Sequence, residues 1–433
     1  MYLILMQPGN YRRRIFSHNY VGAKPVAMML LETMNLCIVT ARFFPQLVGS
    51  GTSAFILARE LQLRGHSVTV LTDASLRGNP EHKSLAFDVR YINDFEAFAT
   101  GKAGFAAALD DLYKNIVTIK PDIIHACNFM PMFLLSIIKP LLCEFPIVFT
   151  FFNTPVLKKR VAGYFSNHLL DVQLGRFVIE QDAYNKMILG SKYYVAAAQS
   201  LGANPDKIRF SYLPPDIQPF LSNNSVKTDK AIVGEISPKA LERPYIILPS
   251  RITAQKGIIE AVRALDIVNR KSTQRDGYNL LLTGMACPFD QKYADRVWDE
   301  IRALNLQDRI IVPASRIKRE HLASFYRESK MVIIPSWYEG LGLSAIEAQV
   351  LGVVLAASDT VGLNEVVRDG FNGLTFSPRD SKSLADCILR IDQGEVDIDE
   401  LTRNAKLSAK RFSIDRHLAD IEACYREVLA NKR

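Results

Sequence analysis

Between Glu339 and Glu347 the chain reads Glu-Gly-Leu-Gly-Leu-Ser-Ala-Ile-Glu, two carboxylates separated by seven small or apolar residues. The apolar run Met331-Val332-Ile333-Ile334 ahead of it, closed by Pro335, spells a buried parallel strand, so the motif falls at a strand's carboxyl end. Open α/β sheets bind ligands at that edge. A helix starting near Leu343 leaves the amides from Gly340 through Leu341 and Gly342 to Leu343 free to face an anion, and glycine lets that anion approach the backbone closely. Glu339 then lies in the loop and Glu347 about two turns into the helix, each able to accept hydrogen bonds from hydroxyls. Such a pocket suits a ligand with many hydroxyls and an anionic group, and a nucleotide-sugar has both.

A second constellation follows the short apolar strand Tyr245 to Pro249: Ser250-Arg251-Ile252-Thr253-Ala254-Gln255-Lys256-Gly257. Arg251 offers a planar fork for phosphate oxygens and Lys256 a point charge, so together they can hold a diphosphate and neutralise it as it departs. With these four residues at this spacing, the chain from Met34 onward resembles the retaining glycosyltransferases of the large GT4 family. That resemblance implies a GT-B fold, α/β throughout: two facing Rossmann-like doubly wound domains, with a C-terminal helix crossing back to the first domain. It also implies that Glu339 contacts the donor sugar, Glu347 the ribose, and Arg251 and Lys256 the diphosphate, in a metal-independent hexosyl transfer with retention. The co-substrate is then a nucleotide-diphosphate-sugar, with no further cofactor and no metal site.

The amino half opens with the strand Asn35 to Val39, a turn from Phe43 to Gly51 and an amphipathic segment from Ala54 to Arg64. Gly49 and Gly51 stand where the family has the glycine-rich turn beside the donor phosphates and the acceptor. The turn is not the Gly-x-Gly-x-x-Gly of dinucleotide enzymes, and after Val68 to Thr72 the nearest acidic candidate for a ribose is Asp73, which makes hydride transfer the weaker Rossmann reading. After the strand Ile147 to Thr150, where relatives usually carry a histidine near the donor sugar, this chain has Phe151-Phe152-Asn153-Thr154-Pro155. Asn153 could hydrogen-bond a sugar hydroxyl in its place. His125 is the other candidate contact to sugar or acceptor, although a histidine at a strand end is more often packed than catalytic. Glu365, in Gly362-Leu363-Asn364-Glu365, either lies by the nucleotide or caps a short helix, and capping is favoured. Gly284 suits a turn with or without a ligand. Asp397-Ile398-Asp399 has a metal-binding spelling but lies among tail helices, where a functional role is not expected.

At 433 residues, 48% hydrophobic and 23% charged, the chain can build two full cores. Six cysteines without paired spacing suggest neither zinc nor disulfides and favour the cytoplasm. The net charge of +8 includes no long basic tract, so no nucleic-acid partner is expected. Only Lys158-Lys159-Arg160 could touch an anionic membrane face, against a simpler reading as a solvated turn. Residues 1–33 read as a disordered extension or a mis-assigned start. Residues 34–216 read as an acceptor-side Rossmann-like domain, 217–243 as a polar linker, 244–411 as the nucleotide-sugar domain, and 412–433 as a closing helix with an apolar stripe at Leu418, Ile421, Tyr425 and Leu429. Strands are expected near 35–39, 67–72, 87–92, 122–125, 147–150, 187–190 and 208–212, then near 245–249, 278–283, 309–312, 331–334, 353–357 and 373–376.

Three functions fit these residues. The favoured one is transfer of a sugar to a hydroxyl acceptor on a sugar, lipid-linked sugar or small metabolite. A nucleotide-sugar-binding scaffold that kept only the donor half is the alternative. A sugar-nucleotide epimerase of the same architecture is a third and less favoured reading.

Overall fold

The computed structural model describes residues 33–432 apart from 46–48, 96–103, 153–164, 222–226, 285–289 and 316. The expectations for residues 1–32, for Asn153 and for the cluster Lys158, Lys159 and Arg160 lie outside the described residues. Two parallel sheets organise the chain. The first holds β1 (Asn35–Thr40), β2 (Ser67–Asp73), β3 (Asp88–Ile92), β4 (Ile123–Cys127), β5 (Ile147–Phe151), β6 (Lys186–Leu189) and β7 (Ile208–Phe210) in the order β3-β2-β1-β4-β5-β6-β7. The second holds β8 (Tyr245–Leu248), β9 (Asn279–Leu282), β10 (Ile310–Ile311), β11 (Met331–Ile334), β12 (Leu355–Ser358) and β13 (Leu374–Phe376) in the order β10-β9-β8-β11-β12-β13.

These strands form where the chain is continuously apolar, because a parallel sheet is covered on both faces. In the second sheet Ile246, Leu248, Leu280, Leu282 and Ile333 join one core, while Tyr245, Ile247, Leu281, Val332 and Ile334 join the core on the opposite face. Each sheet reverses its strand order at its first strand: β1 lies between β2 and β4, and β8 between β9 and β11. Side loops diverge at such a point and leave a crevice at the carboxyl ends of the strands. The loops that follow β8 and β11 carry Arg251, Lys256 and Glu339.

The described part of residues 217–243 is more structured than its polar composition suggests. Thr228 caps a helix over Asp229–Ile236 by accepting from the Ala231 amide, and Ile232 and Val233 are buried. Ser324 and Arg327 bond Asp229 from the helix Arg319–Glu328, so this segment packs on the second half. The last helix, Ile414–Ala430, lays Leu418, Ile421, Cys424, Tyr425 and Val428 into the core made by Leu36, Ile38, Val70 and Val148 of the first sheet. Burying each such large side chain contributes about 1.5–3 kcal/mol, and the chain's end is thereby fixed to its beginning.

Candidate active site

Three close backbone approaches bring the loops after β8, β9, β11 and β12 together. A side chain at Gly257 (φ +65°) would collide with the carbonyl of Pro335, and one at Gly362 (φ +90°) with the backbone of Glu339. Gly284 abuts Ser250 and Arg251 in the same way, so it is required by contact and not merely by a turn. The Ser344 hydroxyl donates to the carbonyl of Pro249 at 3.3 Å, which ties the start of the helix Leu343–Leu351 to the loop after β8.

Lys256, ending the single turn Ala254–Lys256, forms an ion pair with Glu339. The same Glu339 oxygen also accepts from the Ser336 hydroxyl at 2.7 Å. The residues assigned separately to diphosphate and sugar thus hold each other across one point of the crevice. Arg251, on the same loop as Lys256, is exposed and makes no ion pair among the described residues. Gly342 caps the helix Leu343–Leu351 in the left-handed region (φ +88°), a conformation only glycine adopts readily. Leu341 is buried, and the first amides of this helix have no intrahelical acceptor.

Glu347 differs from the expected free carboxylate. It is 4% exposed; Arg319 occupies one oxygen and the Tyr326 hydroxyl donates to the other at 3.1 Å. A carboxylate buried on an apolar helix needs such partners. Arg319 also donates to the Asp216 carbonyl at 3.0 Å and lies 4.7 Å over the Phe220 ring, linking the helix to the connector. Burial, and after it the Glu347 charge, push the Tyr326 phenol well above its usual range.

On the amino side, Gly49 is the first residue of the helix Gly49–Leu63 and Gly51 lies inside it, a correction to the expected loop and to a helix start at Ala54. Packing of Ala54, Leu57, Ala58 and Leu61 outweighs the roughly 1 kcal/mol that a helical glycine costs. His125 is buried, on the lining of a cavity shared with Ser53, Phe152, Leu213 and His417. Its ring nitrogens lie 2.6 Å from the Tyr425 hydroxyl and 2.8 Å from that of Thr150. Burial, then neighbouring His417, pushes its pKa down to about 3. The packed reading therefore describes it, and no nitrogen is left for an acceptor. Asp397 caps its own helix by accepting from the Glu400 amide at 2.9 Å.

Two residues at the crevice carried no sequence signal. The Tyr194 hydroxyl donates to the carbonyl of Phe152 at 2.6 Å, and a side chain at Gly340 would collide with it. Burial and then the Glu339 charge raise its phenolic pKa. Arg319, one of three cations in Arg316-Ile317-Lys318-Arg319, had no spacing that singled it out. Glu365 does cap a helix, but one in the other half: its oxygens accept from the amides of Lys192 and Tyr193 at 2.8 and 2.9 Å.

Comparison with known proteins accords with this geometry. The family model for glycosyl transferases group 1 matches residues 229–410, and that for Glycosyltransferase Family 4 matches residues 48–214. The chain belongs to the family 4 glycosyltransferases. It is similar to a D-inositol 3-phosphate glycosyltransferase of Acidothermus cellulolyticus, 28% identical over 54% of this chain and 50% of that protein. It is also similar to an uncharacterised glycosyltransferase of Methanocaldococcus jannaschii, 23% identical over 81% and 87%. With the first of these the match spans only half of the relative's length. Sucrose-phosphate synthase from Thermosynechococcus elongatus superimposes with a TM-score of 0.72 at 19% identity, over 92% of this family 4 chain and 99% of that one. HepE of Anabaena, solved with UDP-glucose, gives 0.71 at 16% identity over 92% and 100%. These likenesses establish the GT-B fold.

Proposed function

We propose that the chain transfers a sugar from a nucleotide-diphosphate-sugar to a hydroxyl acceptor with retention of configuration, in building a polysaccharide, glycolipid or glycosylated metabolite. The observation that carries this reading is the Lys256–Glu339 pair, set beside Arg251 and the open amide end of the Leu343 helix at the carboxyl edge of β8 and β11. Cleaving a sugar–diphosphate bond develops negative charge on the leaving group and positive charge at the anomeric carbon. A bound donor would draw Lys256 toward the diphosphate, where it, Arg251 and the Gly340 to Leu343 amides stabilise the leaving charge without a metal. Glu339, released from the lysine, then accepts from sugar hydroxyls next to the positive centre. Glu347, held rigid by Arg319 and Tyr326, presents what remains of its lone pairs to the ribose.

Relatives support the substrate class: HepE is described with UDP-glucose, and a trehalose-phosphate synthase of the same fold with glucose 6-phosphate. Among the described residues no helix is long and apolar enough to cross a membrane, and five cysteines are free. Both observations suit work in the cytoplasm.

Thermal-shift screening of UDP-, ADP- and GDP-sugars, followed by an assay for released nucleoside diphosphate, tests the proposal. A stabilising donor raises the melting temperature because it binds only the folded chain, and its slow breakdown should vanish in Glu339→Gln. Tight binding without release in the presence or absence of sugar acceptors would mark a donor-binding scaffold instead.

A further inference from the structure

The contact made by Glu365 crosses between the two halves. Its carboxylate closes on the first two amides of the helix Lys192–Ser200, while Ser191 takes the third, from Tyr194, at 3.1 Å. An anion at a helix start meets both unpaired N–H groups and the positive end of the helix dipole. The other end of the Glu365 residue is fastened as well: Arg411 donates to the backbone carbonyls of Glu365 at 2.5 Å and Val366 at 3.3 Å. Arg411 lies 4.7 Å over the Phe412 ring, and Phe412 meets Tyr212 edge-on at 4.8 Å. Tyr212 and Phe412 stand where the chain leaves the first half and where it returns. The fastening therefore sits at the hinge, where a small change of angle becomes a large change at the crevice mouth.

The clasped helix carries Tyr194 in its first turn. That hydroxyl rests against Gly340, beside Glu339, where the two walls meet closely enough to forbid a side chain. We propose that Glu365 is a positioning residue: by holding the start of the Lys192 helix across the hinge, it sets the closure that brings Tyr194 against the Glu339–Gly340 loop and shuts water from the donor sugar. Its part in turnover rests on the transferase reading; its part in closure does not.

Small-angle X-ray scattering of the ligand-free chain measures closure directly. Glu365→Ala should expand the radius of gyration while circular dichroism stays unchanged. Glu365→Gln keeps one oxygen for one amide but loses the charge, and should fall between. In nucleoside diphosphate release from UDP-glucose, ADP-glucose and GDP-mannose, Glu365→Ala should lower kcat on the order of tenfold or more with KM changed less than about twofold, because misplaced walls affect the reacting geometry more than donor binding. Glu365→Asp should recover part of the loss. Scattering from Glu365→Ala that superimposes on the wild type overturns the clasp, and a loss confined to KM overturns it in favour of a nucleotide contact. If the wild-type chain releases no diphosphate from these donors, the transfer reading falls for them and scattering alone decides the clasp.

Discussion

The two walls of the crevice are built on the same doubly wound plan and put it to opposite electrostatic use. The wall after β8 and β11 holds two ion pairs, Lys256 with Glu339 between loops that glycine contacts hold close, and Arg319 with Glu347 between two helices, while Arg251 stays exposed. The wall from the first sheet is neutral and aromatic where it faces the second: Tyr194 and Phe152 meet the Gly340 loop, and the buried His125 is kept uncharged. One wall can stabilise charge developing in a ligand, while the other supplies shape and closure. A sugar donor needs both, since field and water exclusion reinforce each other only once the crevice shuts.

The sharpest way to break this contrast is to take one charge from the deeper pair. Arg319→Ala leaves Glu347 buried without its cation, and removing one partner of such a pair costs about 3–5 kcal/mol. Urea denaturation should show that loss. If the loss stays below about 1 kcal/mol, the pair is solvent-screened and the charged wall is less rigid than its burial indicates. Lys256→Ala is the next test and concerns the reaction more than the fold. On the proposal that Lys256 turns to the leaving group, its loss should lower kcat by about 10²–10³ in diphosphate release while the melting temperature moves little. A fall of less than about tenfold would shift that duty to Arg251 and the helix amides.

How far the sequence exposes these walls depends on how local the cause is. Parallel strands are fully covered, so Met331–Ile334 and Tyr245–Leu248 stand out as apolar runs, and all the expected strands appear within a few residues of their places. Arg251, Lys256 and Glu339 stood out because each follows such a strand, the latter two directly before a glycine. The helix start at Gly49 was not, since glycine argues against a helix until the packing of Leu57 and Leu61 is known. The helix in the connector, Asp229–Ile236, is too short to show an apolar stripe beyond Ala231-Ile232-Val233 and Ile236. Glu365 reads as a cap from its surroundings, but the helix it caps lies 173 residues away in sequence. No periodicity reports a partner at that distance. Tyr194 fails for the same reason, because its neighbour Gly340 belongs to the other half.

A pH-dependent effect concerns the neutrality of the first wall's support. His417 lies in the seam of the closing helix with its Nδ1 3.0 Å from the Ser211 hydroxyl, which also donates to Asp420 at 2.9 Å. Burial pushes its pKa down to about 4, against the opposing pull of Asp420, and that of His125 down to about 3. Both rings are therefore neutral in the folded chain well below the value of about 6.5 that they regain on unfolding. Above that value neither state takes up a proton and the stability is fully present. As the pH falls from about 6.5 toward 4, the unfolded chain binds protons that the folded chain refuses, and stability declines. The melting temperature should accordingly be flat from pH 8 to 7 and drop toward pH 4.5, with a shallower drop in His125→Gln/His417→Gln. Equal slopes in the two proteins would show that the acid sensitivity arises elsewhere, and that keeping these two imidazoles uncharged does little to hold the closing helix against the first sheet.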